Sequence, residues 1–265
     1  MHIDTSATVI SNKKIIPEHY KMEIYSPQTA SSAKPGQFIH IKTSRTTSPL
    51  LRRPISIYMR DKKRGIISIL YKTVGTGTSL LTEYKPEDTI DIMGPLGNGF
   101  PLGDEQNRIA LAGGGVGIAP LVFLALEASQ LKKQVIFIQG AQCKTTLIET
   151  RELKDAGCIV ETATDDGSAG FHGFPTELLK KYLEKERIDT VYSCGPTPML
   201  KTIKKISLEN KIQTYISLEQ KMGCGIGACL GCACRVLVNE SQGSTYKRVC
   251  ADGPIFPAEV VVFDE

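Results

Sequence analysis

The sequence predicts a multi-domain β + α/β protein. We expect an N-terminal antiparallel β-barrel over residues 1–103, a parallel-sheet, nucleotide-binding α/β domain over residues 104–218 and a small C-terminal subdomain over residues 219–265. Short segments of alternating apolar and polar residues fill the first hundred residues, and strand and helix patterns alternate after residue 108. Four of the eight cysteines lie between residues 222 and 235. A chain of 265 residues is long enough for two domains and a small third one.

The first hundred residues have the pattern of an antiparallel barrel or sandwich. Apolar and polar residues alternate in short segments rich in β-branched side chains, and Pro, Gly and Ser separate these segments. Such spacing is typical of all-β domains. One short helix is expected over Thr78–Tyr84. The predicted strands lie at 19–26, 36–43, 52–60, 65–73 and 88–94.

From Arg108 onward, strand patterns alternate with helix patterns. This alternation is typical of a parallel sheet with helices on both faces, and it predicts a nucleotide site at the carboxyl ends of the strands. The predicted strands lie at 108–113, 134–140, 158–164, 187–195 and 212–218, and the predicted helices at 120–130, 145–156, 174–186 and 197–210.

One apolar segment in this region is long enough to be considered as a membrane span. Residues Ile109–Leu126 are eighteen in number and carry no charge, which reaches the length of a membrane helix. Four glycines and Pro120 interrupt the segment, however, and would break a helix exposed to lipid. We therefore expect a buried strand, a turn and a helix, and no membrane association.

Charge and cysteine content also limit the classes of function. Lys and Arg exceed Asp and Glu by only 32 − 28 = 4, and they are scattered along the chain, so the sequence does not indicate a nucleic-acid partner. The first residues, MHIDTSATVISNKK, lack the basic and apolar segments of a secretory signal, and we expect a cytoplasmic protein. In a reducing compartment the cysteines are thiols or metal ligands rather than disulfides.

Four cysteines have the spacing of an iron–sulfur site. Cys224, Cys229, Cys232 and Cys250 form the pattern C-x4-C-x2-C-x17-C, which is the spacing of plant-type [2Fe–2S] proteins. The glycines between them let the loop wind closely around a cluster. A hairpin with strands at 232–239 and 245–250 and a turn at 240–244 explains the long last gap, because its return strand leads back to the loop.

Two other interpretations of the cysteines remain open at this point. Structural zinc usually has paired short spacings, whereas only one short pair is present here. The thiols could also be merely buried. Cys234 is the cysteine left over, and we expect it to pack in the hairpin rather than to bind metal. Cys143 and Cys158 are expected to be structural.

Glycine turns mark the predicted nucleotide site. LAGGGVGIAP at 111–120 follows a strand and opens a helix, where backbone N–H groups can hold a pyrophosphate, although it does not match G-x-G-x-x-G. CGP at 194–196 ends another strand, and either Asp165 or Asp166 could bind ribose. A packing turn, an inert cysteine and a solvated turn are the alternatives. The absence of an obvious basic pair near TDDGS favours NAD over NADP. The candidate NAD residues are Gly113, Gly114, Gly115, Gly117, Asp165, Cys194, Gly195 and Pro196.

The barrel carries a second candidate phosphate site. RRPIS at 52–56 places Arg53 and Ser56 on a strand, and ILYKTVGTGTS at 69–79 leads from a strand into a Gly/Thr turn. An arginine fork together with the backbone N–H groups of Gly77 and Thr78 suits a pyrophosphate. A barrel followed by a parallel sheet makes these motifs jointly indicative of flavin and nicotinamide.

These motifs together resemble the ferredoxin–NADP reductase superfamily over the whole chain. They are R-x-x-S, GGG-x-G-x-AP, TDDGS, CGP and the C-terminal GCGIGAC-x2-C with CADGP-x-F. Within that superfamily the chain most resembles the family of electron-transfer subunits of type B dihydroorotate dehydrogenase. The resemblance implies FAD in the barrel, NAD(H) at the parallel sheet and a [2Fe–2S] cluster on Cys224, Cys229, Cys232 and Cys250. Many relatives have an aromatic residue where this chain has Ile55. The residues that would line FAD are Arg53, Pro54, Ile55, Ser56, Leu70, Tyr71, Lys72, Gly77 and Thr78.

The resemblance also implies an oxidoreductase subunit that has no dihydroorotate site or catalytic residue of its own. It implies an FMN-containing catalytic partner, with two copies of each subunit in a heterotetramer, and electron flow from dihydroorotate through FMN, the cluster and FAD to NAD⁺ in pyrimidine biosynthesis. Because NAD exchanges two electrons at once and the cluster one, FAD must lie between them.

Two alternative functions are kept. The first is the small subunit of a sulfide dehydrogenase or of an NADH-dependent ferredoxin:NADP oxidoreductase, which has a similar layout. Such subunits can have Asp in place of the first cluster cysteine, whereas this chain has Cys224. The second is a zinc-stabilised nucleotide-binding regulator without catalysis.

Overall fold

The computed structural model describes residues 2–239 and 243–263. Most of the predicted hairpin turn at 240–244 therefore lies outside the described residues. Those residues form a closed barrel of six strands, a sheet of seven strands and a sheet of three strands. The fold class is that expected from the sequence, whereas the exact domain limits remain a prediction.

The barrel closes in the strand order β1-β2-β5-β4-β3-β6, with all neighbours antiparallel. Val9, Met22, Ile24 and Ile57 are fully buried in its interior. The elements are β1 (His2–Ile16), β2 (His19–Tyr25), α1 (Pro27–Ser32), β3 (Phe38–Ile41), β4 (Arg53–Asp61), β5 (Ile66–Lys72), α2 (Thr76–Leu81) and β6 (Thr89–Leu96).

Two parts of the barrel differ from the sequence-based expectation. Strand β1 is missing from the predicted strands, because only two of its fifteen residues are buried and its polar residues hide the alternation. It is fixed by pairing with β2 and β6 rather than by burial. The short helix predicted over Thr78–Tyr84 begins two residues earlier and ends at Leu81.

The next elements form the α/β region as the alternation predicts. The segment Ile109–Leu126 is a buried strand, a 3₁₀ turn and most of a helix, as expected. Within the described residues, no helix is both long enough and apolar enough to cross a membrane. The elements are β7 (Arg108–Gly114), α3 (Ile118–Gln130), β8 (Gln134–Ala141), α4 (Arg151–Asp155), β9 (Ile159–Thr164), β10 (Phe171–His172), α5 (Pro175–Lys185), β11 (Thr190–Cys194), α6 (Thr197–Asn210) and β12 (Gln213–Ser217).

The prediction of one helix over 145–156 is wrong. The structure has a 3₁₀ turn at Lys144–Thr146, a stretch without regular structure and then the short helix α4. The Thr146 hydroxyl bonds to the backbone of Cys143, which closes a turn instead of starting a helix. Ile148 is 4% exposed and packs in the core beside α3, which pins the irregular stretch to the domain.

The C-terminal segment contributes to two sheets. Its strands are β13 (Ala233–Asn239), β14 (Gly243–Arg248), β15 (Ile255–Pro257) and β16 (Val261–Val262). The first, second and fourth form the small sheet in the order β14-β13-β16, so the predicted hairpin is present. The third extends the large sheet, whose order is β10-β9-β8-β7-β11-β12-β15, and it is antiparallel to β12.

The same segment also binds to the barrel. Asn98, just after β6, donates its backbone N–H to the Gly253 carbonyl at 2.7 Å, and Leu218 donates to the Pro254 carbonyl at 2.9 Å. Helix α3 of the α/β region also packs against β4 of the barrel, and Arg60 of β4 forms an ion pair with Glu127 of α3 at 2.9 Å. The C-terminal segment therefore lies at the junction of the barrel and the parallel sheet.

Candidate functional site

The predicted cluster loop has backbone N–H groups directed at its cysteines. The Gly227 N–H donates to the Cys250 sulfur at 3.1 Å, and the Cys250 N–H donates to the Cys232 sulfur at 3.4 Å. Cys224 accepts longer contacts from Ile226 at 3.5 Å and from Cys229 at 3.4 Å. Donors of this kind stabilise thiolates and the sulfurs of an iron–sulfur cluster, so the loop fits that group.

The four predicted ligands lie as two pairs. The Cys224 and Cys229 side chains contact each other, and so do the Cys232 and Cys250 side chains. Across residues 2–239 and 243–263, no three His, Cys, Asp or Glu side chains are placed to share one metal ion. Two pairs of thiols match a centre with two irons, each of which takes two cysteine ligands.

The two pairs differ in their exposure, and Cys224 and Cys250 differ in their acidity. Cys232 and Cys250 are each 2% exposed, whereas Cys229 is exposed and Cys224 half-buried. Burial acts to raise the pKa of Cys224, but the N–H groups of Ile226 and Cys229 outweigh it and lower the pKa to about 6. Burial, with Cys232 as neighbour, raises the pKa of Cys250 to about 12. Cys224 is thus closer than Cys250 to the thiolate form that binds metal.

A salt bridge fixes the end of the hairpin against the cluster loop. Asp252 accepts hydrogen bonds from the Arg248 backbone N–H at 2.8 Å and from its guanidinium at 2.9 and 3.0 Å. The same guanidinium donates to the Gly227 carbonyl at 3.3 Å. These bonds lower the pKa of Asp252 to about 2. Neither residue was singled out from the sequence.

The two glycine turns of the α/β region touch each other. Strands β7 and β11 are neighbours, with Cys194 opposite Gly113. A Cβ added to Gly117 would lie 2.7 Å from the Gly195 Cα, and one added to Gly195 would lie 3.0 Å from the Gly114 nitrogen. The backbones of the two turns are thus in direct contact, and the Met199 side chain packs beside Gly114 and Gly195.

A cavity of about 530 Å³ lies between the glycine turns and the C-terminal sheet. Burial, then the nearby Glu219, raises the pKa of Cys194, and burial raises the pKa of Glu219. The size and the glycine-lined floor fit part of a dinucleotide. The floor residues are Gly114, Gly115, Val116, Gly117, Gly195, Pro196 and Thr197, and the opposite wall includes Ala233, Cys234, Arg235, Tyr246 and Phe263.

Cys234 lies on this wall rather than in a cysteine pair. Burial, then the neighbouring Cys232, raises the pKa of its thiol to about 11. That Cys234 packs without binding metal, and that Cys224, Cys229, Cys232 and Cys250 are the ligands, remain predictions.

The structure does not bring the predicted aspartate into the cavity lining. Asp165 follows β9, which is separated from β7 by β8 in the sheet. Asp166 accepts hydrogen bonds from the Ser168 hydroxyl at 2.6 Å and from its backbone N–H at 2.9 Å, as in a simple turn. A ribose contact by Asp165 stays a prediction.

The barrel residues predicted for FAD fall into two groups. Arg53 lies over the start of α2, because a Cβ on Gly77 would meet the Arg53 Nε at 2.8 Å. The Thr78 hydroxyl accepts the Val74 N–H at 2.9 Å, which closes the turn before that helix. The exposed side chains of Leu50, Leu51 and Val74 add an apolar surface beside Arg53 that fits a flavin cofactor. Pro54, Ile55, Ser56 and Lys72 are half-buried on the same strand pair.

The second group is buried. Leu70 is 2% and Tyr71 1% exposed, and the Tyr71 hydroxyl donates to the Asn12 side chain at 3.0 Å. Any contact with a cofactor at these two positions would therefore come from the backbone. Alternation along β5 could not reveal this, because the strand is buried on both faces.

His40 connects the barrel with the cysteine loop and was not predicted as a site residue. It is fully buried on β3, opposite Pro54 of the predicted FAD motif. Burial, then the Arg52 guanidinium, lowers the pKa of His40 to about 4. The loop contacts it at Gly225, next to Cys224.

Comparison with known proteins assigns these regions. Residues 6–100 match the family described as the oxidoreductase FAD-binding domain. Residues 219–262 match the iron–sulfur cluster binding domain of dihydroorotate dehydrogenase B. A solved structure of a ferredoxin NADP⁺ reductase from Neisseria gonorrhoeae with bound FAD and NADP superposes with a TM-score of 0.66 at 18% identity, covering 79% of this chain and 92% of that one. Fold and sites thus define an FAD-binding, iron–sulfur electron-transfer protein with the fold of the ferredoxin reductases.

Two relatives cover nearly the whole chain. The electron transfer subunit of dihydroorotate dehydrogenase B (NAD(+)) from Desulforamulus reducens is 41% identical over 97% of this chain and 98% of its own length. The subunit of the same name from Caldanaerobacter subterraneus subsp. tengcongensis is 42% identical, with coverage of 97% and 98%. The chain belongs to the family of dihydroorotate dehydrogenase B (NAD(+)) electron transfer subunits.

A further solved structure is similar over most of its length. It is described as an NADH-dependent reduced ferredoxin-NADP oxidoreductase that performs flavin-based electron bifurcation, and it superposes with a TM-score of 0.86 at 30% identity, covering 98% of this chain and 90% of that one. The protein named in the first alternative function therefore has a domain layout related to that of this chain. The match to an iron–sulfur binding domain does not support the zinc-stabilised regulator.

Proposed function

We propose that this chain passes electrons from dihydroorotate oxidation on a partner subunit to NAD⁺. The partner is an FMN-containing catalytic subunit, and two copies of each subunit form a heterotetramer in the cytoplasm, where the paired thiols stay reduced. FAD exchanges two electrons at a time with a nicotinamide and one at a time with an iron–sulfur cluster. For this reason FAD and the cluster are placed in one chain.

The observation that carries the proposal is the position of the C-terminal segment. Its cysteine loop lies against the barrel at His40, and its hairpin forms the wall of the cavity above the glycine turns. One segment therefore contacts both the flavin-binding barrel and the candidate nicotinamide site. The exposed Cys229, with Ile226 and Leu230 exposed by 46% and 64%, leaves an apolar face at which a partner subunit can dock.

Each predicted binding residue then has a physical task. The guanidinium of Arg53 and the backbone at Gly77 hold the FAD pyrophosphate, while the glycine turns hold the nicotinamide nucleotide. The wall formed by the C-terminal sheet excludes water from that nucleotide. The N–H groups around the cysteine loop stabilise the thiolates.

Co-expression with the FMN-containing dihydroorotate dehydrogenase subunit of the same organism tests the proposal. We expect the two chains to purify together in equal amounts, with a mass of two plus two subunits by light scattering, and to couple dihydroorotate oxidation to NAD⁺ reduction. If the chains do not couple dihydroorotate oxidation to NAD⁺ reduction and instead reduce ferredoxin with NADPH, the result would favour the first alternative function. The presence of Cys224 in the first cluster position supports the dihydroorotate partner.

A further inference from the structure

His40 is a buried polar side chain without a hydrogen-bond partner. It is 0% exposed, and neither ring nitrogen makes a hydrogen bond of normal geometry among the described residues. A buried polar group of this kind destabilises a protein unless a partner is present. An apolar residue would fill the position at less cost, so the imidazole indicates a polar partner in the protein with its cofactors bound.

The ring faces the cysteine loop. A Cβ added to Gly225 would lie 2.6 Å from the His40 Nδ1, and Gly225 has a φ of +73°, so the loop needs a glycine here for both its backbone and its close approach to the ring. The backbones of Arg52 and Cys224 lie close to the ring and offer it hydrogen-bond acceptors. Cys224 is the first of the four predicted cluster ligands.

The other side of the ring belongs to the flavin-binding part of the barrel. On β3, His40 is opposite Pro54, which follows Arg53 in the predicted FAD motif. The guanidinium of the neighbouring Arg52 forms a two-pronged salt bridge to Asp91, with bonds of 2.8 and 2.7 Å. Thus His40 contacts the predicted cluster loop from a strand that is paired with the predicted FAD strand.

We propose that His40 is a positioning residue that donates a ring N–H to the Cys224 end of the cluster loop. This hydrogen bond sets the electronic environment of the cluster and its placement relative to the flavin strand. An imidazole always carries at least one N–H, and hydrogen bonds near the cluster sulfurs raise the reduction potential of the cluster. The inference rests on the proposed function, because it requires the four thiols to hold a cluster.

A matched pair of substitutions separates hydrogen bonding from packing. His40→Met and His40→Gln have side chains of similar length, but only glutamine can donate a hydrogen bond. The control is His19→Met, since His19 is also buried in the barrel, at 6% exposure, but lies on β2, where its ring is bonded to the Pro17 carbonyl at 2.7 Å. All variants are checked for iron, FAD and thermal unfolding.

The readouts are the electron paramagnetic resonance spectrum and the reduction potential of the cluster, together with stopped-flow rates. In His40→Met we expect shifted g-values, a lower potential and cluster reduction by NADH that is about 10-fold slower, with FAD reduction by NADH unchanged. His40→Gln should restore the wild-type spectrum and potential. Loss of the cluster in His40→Met alone would also support the proposal.

Three results would overturn it. The first is a wild-type spectrum and potential in His40→Met. The second is an equal change in His40→Met and His40→Gln, which would indicate packing. The third is the same change in His19→Met. A wild-type protein without iron would instead contradict the proposed function, so the two failures can be distinguished.

Discussion

Gly117 at the end of the first glycine turn lies directly against Gly195 of the second turn, and a Cβ on Gly117 would come within 2.7 Å of the Gly195 Cα and 2.8 Å of the Cys194 carbonyl oxygen. Both obstacles are backbone atoms, which cannot move aside as a flexible side chain can. The candidate nicotinamide cavity depends on this contact, because its floor is made by the two turns together.

Gly117→Ala should therefore push the two turns apart. We expect a loss of about 1–3 kcal/mol in the free energy of unfolding, as for other overpacked sites, and weaker NADH binding. Steady-state kinetics should give a higher KM for NADH, while the FAD and iron contents stay normal. Gly99→Ala is the control, because its added Cβ would also meet a backbone atom, the Pro35 carbonyl oxygen at 2.8 Å, but Gly99 does not line the cavity. An unchanged KM in Gly117→Ala would place the nucleotide elsewhere.

Arg53→Ala should weaken FAD binding. The guanidinium lies over Gly77 at the start of α2, and loss of a charge-assisted bond to the pyrophosphate should make binding about 10- to 100-fold weaker. The flavin content after dialysis, read from its absorbance, measures this effect. Arg64→Ala removes an exposed arginine from the same barrel and should keep its flavin. Equal flavin in both variants would remove Arg53 from the site.

Serine substitutions test the cysteine assignment. Cys224→Ser, Cys229→Ser, Cys232→Ser and Cys250→Ser should each lower the iron and acid-labile sulfide content, because each removes one thiolate from a pair. Cys234→Ser should retain the cluster, since Cys234 lies on the cavity wall. Chemical analysis of iron and sulfide together with the visible spectrum is the measurement. Loss of the cluster in Cys234→Ser and its retention in Cys232→Ser would reject the assignment.

The salt bridge of Asp252 with Arg248 should give a pH-dependent contribution to stability. The pKa of Asp252 is lowered to about 2, first by the Arg248 side chain and then by its backbone N–H. A carboxylate with a lowered pKa stabilises the fold above its ordinary pKa of about 3.8 and loses this effect as the pH falls towards 2.

We therefore expect Asp252→Asn to have a lower midpoint of thermal unfolding than the wild type at pH 7. The difference should shrink as the pH falls below about 4, the ordinary pKa of the carboxyl group. A cluster that is lost in acid is lost from both proteins over the same pH range. The difference in unfolding midpoint between the two proteins therefore reports the contribution of the carboxylate alone. A difference that is constant with pH would mean that the charge of Asp252 does not contribute.

Short-range sequence patterns predict much of the fold and part of the site. The alternation of strands and helices and the C-x4-C-x2-C spacing depend on neighbours within a few residues, and the matching parts of the structure are the barrel, the parallel sheet and the paired thiols. The helix predicted over 145–156 is wrong because Thr146 closes a local turn with Cys143 and tertiary contacts hold Ile148 in the core, which together outweigh helix propensity.

Long-range contacts account for what the sequence did not reveal. The cavity joins Gly114 to Tyr246, and its wall is folded back from the C-terminal segment, so no local motif could indicate it. His40 has the pattern of an ordinary strand residue until Gly225, far along the chain, is placed against it. Similarly, β15 is too short to be predicted alone and exists because β12 offers a free edge.

The central claim is that electrons pass between NADH and the cluster only by way of FAD. Anaerobic addition of NADH to the purified chain, followed at flavin and iron–sulfur wavelengths, tests it most directly when wild type and flavin-depleted Arg53→Ala are compared. We predict that NADH reduces the flavin and then the cluster in the wild type, and that Arg53→Ala without FAD is reduced by dithionite but not by NADH. Reduction of the cluster by NADH in the absence of FAD would contradict the account.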